Sequence, residues 1–172
     1  MSDPQRSRME TPSQLDCLMP SPPETDREYA YFHAVGRDDP SEITEALGLQ
    51  PDECWRVGDA FERRGHTLKR KSSCWRLKSG LEDTQSLDRH VDALLYRLRP
   101  HRDALLDIGT RFRTQIVCVS FAYQSFSWAL DFEAQKEATS LCIGFWFDTY
   151  SFGDFHEEMV ELREQLGLRQ DV

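Results

Sequence analysis

The sequence predicts one α+β domain whose first six elements run β-α-β-β-α-β, the split βαβ order, followed by a further β-α-β unit and a C-terminal helix. Three observations carry that reading. Apolar residues alternate with period two in Glu28–Gly36 and Phe112–Gln124, as strands require. They recur at helical spacing in Thr84–Arg99, at Leu87, Val91, Leu94, Leu95 and Leu98. Composition changes after Arg27: five of the eight prolines precede it, mixed with Ser, Thr, Asp and Glu and without a sustained period. Residues 1–27 therefore read as a disordered tail. Residues 28–152 read as the domain, and residues 153–172 as an amphipathic helix and end.

In Glu28–Gly36, Tyr29, Tyr31, His33 and Val35 share one face and Ala30, Phe32 and Ala34 the other. Apolar groups on both faces predict a central strand. Asp39 is placed to cap the helix Ser41–Leu47, with Pro40 at its first position and Glu42 completing a capping box. Ile43, Ala46 and Leu47 form its inner face, and Gly48 with Leu49 closes it as a Schellman motif. Glu53–Phe61 is the second strand, in which Gly58 marks a bulge or a close approach. Glu62–Lys71 is polar and makes a loop or hairpin tip, and Ser72–Lys78 returns as the third strand. Pro100 breaks the long helix, and His101–Gly109 is a second piece facing inward through Ala104, Leu105 and Ile108. In Phe112–Gln124, Ile116 and Cys118 face one way and Val117, Val119, Phe121 and Tyr123 the other, so both faces need cover. Trp128–Phe132 reads as a short strand, Glu133–Leu141 as a short helix and Cys142–Tyr150 as an aromatic strand. Asp154 caps the last helix, which carries Phe155, Met159, Leu162 and Leu166 on one stripe. The order is that of a ferredoxin-like core, with helices mainly on one face and a partner or the terminal helix over the other.

The 172 residues carry 21 Lys and Arg against 30 Asp and Glu, a net charge of -9. An acidic whole argues against nucleic-acid or anionic-membrane binding and suits a basic protein partner. The charge is uneven. Trp55–Lys78 holds eight bases against two acids, Glu28–Cys54 seven acids against one Arg, and Asp131–Val172 ten acids against three bases. That is a basic hairpin on an acidic body. Five cysteines with no C-x-x-C pair read as buried thiols of a reducing cytoplasm, Cys54–Cys74 being the one bridge worth naming. No signal peptide opens the chain, and no apolar run reaches the ~18 residues of a membrane span. His33, His66, His90, His101 and His156 build no metal motif, and no P-loop, G-x-G-x-x-G or G-x-S-x-G is present. The expectation is no metal and no cofactor.

The candidate site is Glu53–Asp59, E-C-W-R-V-G-D, answered by Ser73–Leu77, S-C-W-R-L. Trp55 and Trp75 are expected as an aromatic pair on neighbouring strands. Arg56 and Arg76 would then share the opposite face, with Asp59 as counter-charge to one of them. With Gly58, these residues frame a hairpin or wall a ligand site.

Taken with D-P-S-E-I-T-E-A-L-G-L-Q-P, H-V-D-A-L-L and an aromatic strand ending in Asp and Tyr, these motifs make Tyr29–Tyr150 resemble a known family. It is a family of small, mainly bacterial proteins known as domain of unknown function 4279. The resemblance implies no established activity. Some members look like immunity proteins, which neutralise toxins by binding them. By position Trp55, Arg56, Gly58, Asp59 and Trp75 match the family pattern, which implies a shared structural or binding role. The functional expectation is a non-enzymatic binding protein covering a basic toxin with its acidic body. Glu157, Glu158, Glu161 and Glu164 are its foremost contacts, and the basic hairpin matters little. A small-ligand or nucleotide-binding module using the Trp/Arg hairpin and an enzyme without a recognised motif are the alternatives. Self-association is left open.

Overall fold

The computed structural model describes residues 26–122 and 127–151. Its strands are β1 (Arg27–Gly36), β2 (Glu53–Trp55), β3 (Ala60–Arg63), β4 (His66–Lys69), β5 (Ser73–Lys78), β6 (Arg113–Ala122) and β7 (Gly144–Ser151). Its helices are α1 (Ser41–Leu47), α2 (Leu87–Leu98), α3 (Arg102–Arg111) and α4 (Phe132–Ser140), with a 3₁₀ turn over Arg99–His101. The class is α+β, as the pattern predicts. Arg27, assigned to the tail, already opens β1; residues 1–25 and the helix expected over 153–172 lie outside the described residues.

Five strands form one sheet in the order β2-β5-β1-β6-β7. β1 is apolar on both faces and sits at the centre, antiparallel to β5 on one side and to β6 on the other. β2 pairs antiparallel with β5 at one edge. The crossovers β1-α1-β2 and β5-α2-α3-β6 therefore each skip one strand, which is what a split βαβ order means. β7 lies parallel to β6 at the other edge. A parallel neighbour requires a crossover, and α4 supplies it.

The period of two decides what each face carries. Phe32 stands opposite Leu77 on one side and Ile116 on the other. With Ala30, Ala34, Trp75 and Cys118 these residues face the helices and close one core against Ile43, Leu47, Leu94, Leu105 and Ala138. Tyr29, Tyr31, His33, Arg76, Val117 and Val119 alternate with them and occupy the opposite face. None of α1 to α4 contributes to that face, because their buried residues all belong to the one core.

Several boundaries differ from the sequence reading, each for a local reason. Asp39 does cap, accepting from the Ser41 N–H at 2.9 Å and the Ser41 hydroxyl at 2.8 Å. Glu42 does not complete a capping box; it pairs with Arg111 of α3 instead. Ala46 is exposed. Gly48 is left-handed (φ 64°) and donates to the Thr44 carbonyl, the single bond of an αL ending. The true Schellman ending closes α4, where Ile143 N–H reaches the Ala138 carbonyl and Cys142 N–H the Thr139 carbonyl. Pro100 does end α2, and the second helical piece follows; between them lies a 3₁₀ turn, Arg99–His101, with Pro100 in its first turn, where a missing N–H costs nothing. α3 runs past Gly109 to Arg111; the glycine serves a close approach instead, since a Cβ there would lie 2.8 Å from the Cys142 sulfur. Residues 127–131 form no strand; Trp128 packs on Phe147 and donates its indole N–H to Asp88 at 2.7 Å.

α2 is capped from a distance. Its Leu87 N–H donates to the Glu28 carboxylate of β1 at 2.8 Å, tying the helix start to the central strand. One turn on, His90 is fully buried, its Nδ1 2.6 Å from Ser79 Oγ. Ser79 Oγ also accepts from Leu81 N–H, so the pair latches the loop after β5 onto α2. Burial pushes the pKa of His90 below 6.5, and that of His33 likewise. The unfolded chain then binds protons that the folded one refuses. Stability is expected to be fully present above pH 6.5 and to fall as pH drops below that value. Urea midpoints at about pH 7.5 and about pH 5.5 check this, and a flat profile across the window contradicts it.

Candidate functional site

The predicted strand Glu53–Phe61 is two strands with a turn between them. β2 ends at Trp55, and β3 begins at Ala60. Beyond the turn, β3 and β4 form a separate two-stranded ladder, which settles the two readings, loop or hairpin tip, as a hairpin. Its tip is Arg64-Gly65, with φ of 50° and 74°. Two consecutive left-handed residues are the signature of the tight hairpin turn whose twist suits its strands.

The residues between Trp55 and Asp59 hold that hairpin to the sheet. Asp59 accepts the Arg56 N–H at 2.7 Å, so its carboxylate caps the turn and does not pair with an arginine side chain. The Arg56 guanidinium reaches Asp39 instead, its Nε 3.1 and 3.0 Å from the two carboxylate oxygens. That bond and the Ser41 N–H, the larger influence, pull the Asp39 carboxyl down to about 2. Gly58 N–H donates to the Arg70 carbonyl, and Arg70 N–H returns to Asp59. Val57 N–H reaches Ser73 Oγ. Every polar group of W-R-V-G-D named here serves the root of the hairpin.

Gly58 has φ of 90°, and nothing lies within 4 Å of where a Cβ would stand. Neither a strand bulge nor a close approach explains it; the backbone angle does. Gly58→Val is therefore expected to cost about 1–2 kcal/mol through left-handed strain. The measurement is the shift in urea midpoint. An unchanged midpoint removes that explanation.

The two tryptophans do not pair. Trp55 stands opposite Cys74, and Cys54 opposite Trp75. A shift of one residue reverses the face of every side chain. Trp75 enters the core at 0% exposure, edge-on to Phe32, its indole N–H on Thr44 Oγ1 at 3.0 Å. Trp55 remains half-exposed on the opposite face. The Arg70 guanidinium lies 4.1 Å from the Trp55 ring centre and 4.1 Å from that of Phe61, sandwiched between them. Arg76 follows Trp75 but lies on the Trp55 face, 4.3 Å from the Tyr31 ring and 2.8 Å from Glu53. Arg56 and Arg76 share no partner. Cys54 and Cys74 fall on opposite faces as free thiols, and burial pushes the Cys74 thiol up to about 11.

Two further features escaped the sequence reading. A cavity of about 380 Å³ opens where β5 leaves the sheet, lined by Tyr29, Tyr31, Glu53, Arg76, Lys78 and Ser79 among others. The hairpin beyond Phe61 is exposed, and Arg63, Arg64, Lys69 and Lys71 have no ion-pair partner among the described residues. Several acids of the body are engaged by contrast: Asp39 with Arg56, Glu53 with Arg76, Glu42 with Arg111. Glu157, Glu158, Glu161 and Glu164 lie outside the described residues.

Among the described residues no group of three His, Cys, Asp or Glu side chains is placed to hold a metal ion. Among the described residues Ser79 sets a hydroxyl 2.6 Å from the Nδ1 of a histidine, His90. Its imidazole is fully buried, its Nε2 has no hydrogen-bond partner, and burial outweighs the nearby groups that favour its charged form, so the geometry is that of a latch. Among the described residues no helix is long and apolar enough to cross a membrane.

No curated protein and no solved structure matches the chain. A family model does, over residues 26–152, which takes in the whole sheet, the hairpin and its W-R-V-G-D root. The chain belongs to the DUF4279 family, a domain of unknown function.

Proposed function

We propose that this chain is a binding protein that acts on a protein partner without turnover, and that the β3–β4 hairpin makes the contact. The observation that carries this is the unpaired basic hairpin standing outside the main sheet. Its strands bury almost nothing of their own, so folding economy does not explain their length. Arg63, Arg64, Lys69 and Lys71 have no ion pair among the described residues, whereas Arg56 and Arg76 at its root are paired with Asp39 and Glu53. The partner it suits presents an acidic surface. The toxin-neutralising role implied by the family resemblance is the concrete case, set in a reducing cytoplasm where the thiols stay free. This moves the contact from the acidic body, which the charge count favours, to the hairpin.

The test is affinity capture from the native host with the wild-type chain and with R63E/R64E/K69E. A partner retained by the first and lost by the second supports the reading. The Tyr- and Arg-lined cavity supports a second one, a small planar anion held by Arg76 and Lys78 against Tyr31. Thermal stabilisation of the wild type by such a molecule, absent in Arg76→Ala, would favour it.

A further inference from the structure

We infer that one face of the β3–β4 hairpin, the face carrying Phe61 and Leu68, seats an acidic protein surface that presents an apolar side chain between carboxylates. This face would make the hairpin contact proposed above, and it depends on that reading. The register pairs Phe61 with Leu68 and Arg63 with His66. Side chains alternate along a strand, so these four share one face, and Ala60, Glu62, Thr67 and Lys69 share the other. The two faces differ in chemistry. On the second, Thr67 donates its hydroxyl to the Glu62 carboxylate at 2.5 Å, so that carboxylate is engaged within the hairpin. On the first, Leu68 is 42% exposed, and neither it nor Phe61 belongs to the buried core.

A single exposed leucine needs no explanation; here cations stand on either side of it. Arg63 lies on the same face toward the tip, and Arg64 follows in the turn. Arg70 closes the root end, its guanidinium 4.1 Å from each of the Trp55 and Phe61 ring centres. With both of its flat sides against rings, that guanidinium keeps its edge for donation, the geometry that grips a carboxylate with two bonds. None of these three arginines has an ion-pair partner among the described residues. The arrangement is that of a small interface, an apolar centre inside a charged rim. The occupant it fits is a protein loop or strand with an apolar side chain between Asp or Glu residues.

The experiment uses the full chain and two synthetic peptides of glutamates with equal charge, one with leucine and phenylalanine at its centre and one with two serines there. Binding is read from amide chemical shifts in a titration at low salt. The apolar-centred peptide is expected to bind about fivefold or more tighter than the serine peptide, with shifts centred on Phe61, Arg63 and Leu68. Leu68→Ser is expected to remove that difference, and Thr67→Val on the other face to leave it in place. Urea midpoints close to the parent's show that both variants are folded. Equal affinity for the two peptides, with R63E/R64E/K69E abolishing both, overturns the face and leaves the hairpin reading standing. Binding that survives R63E/R64E/K69E overturns both. A dimer that Leu68→Ser dissolves overturns the face too, since the occupant is then a second copy.

Discussion

Trp75→Ala is expected to lower stability by about 3–5 kcal/mol, the range for truncating a large buried aromatic. Trp75 is 0% exposed and spans the space between β5 and α1. Alanine leaves a cavity beside Phe32 and strips Thr44 of its indole donor. Removal of one partner of a buried bond adds to the loss. Trp75→Phe keeps most of the volume and is expected to lose less, about 1–2 kcal/mol. Trp55→Ala is expected to cost about 1 kcal/mol, because that ring is half-exposed and what it loses is mainly the Arg70 contact. Urea melts of the three variants measure the order. Equal losses for Trp55→Ala and Trp75→Ala would mean that the two rings share a face after all.

R63E/R64E/K69E is expected to slow association with an acidic partner about tenfold to a hundredfold, because steering by complementary charge acts chiefly on the rate of encounter. Stability should stay within about 0.5 kcal/mol of the parent, since these side chains are exposed and have no ion-pair partner among the described residues. That combination separates a docking finger from a structural one. If the hairpin served the fold, the variant would melt early and the apparent loss of binding would follow unfolding.

The strength of each sequence signal matches what the structure kept. β1 and β6 were legible because ten residues of alternation leave no other reading, and α2 because its stripe of Leu and Val has no second period. The misplaced tryptophan pair came from an unread turn. Arg64-Gly65 is a two-residue turn, and counting outward from it puts His66 opposite Arg63 and Cys74 opposite Trp55. One register runs through both ladders, across the W-R-V-G-D turn. Reading Glu62–Lys71 as a loop or hairpin tip without fixing the turn at Arg64-Gly65 lost that count, and the two rings fell on one face. The Schellman ending of α4 carried no glycine signal, since Cys142 takes the left-handed position (φ 60°), and the strand was begun there. Trp128 looked like strand because its partner Asp88 is 40 positions away. The cavity was invisible for the same reason: Tyr31, Arg76 and Ser79 meet only once β1 and β5 are paired. The unpaired state of the hairpin cations is a tertiary fact too, which no charge count contains.

Association kinetics with the captured partner, run at low and at high salt on the wild type and on R63E/R64E/K69E, test the central claim most directly. The account predicts a fast wild-type rate that falls steeply as salt rises, with the Debye length shrinking from about 30 Å at 0.01 M to about 10 Å at 0.1 M. It predicts a slow variant rate that hardly responds to salt. A variant that associates as fast as the wild type, with the same salt dependence, would contradict it.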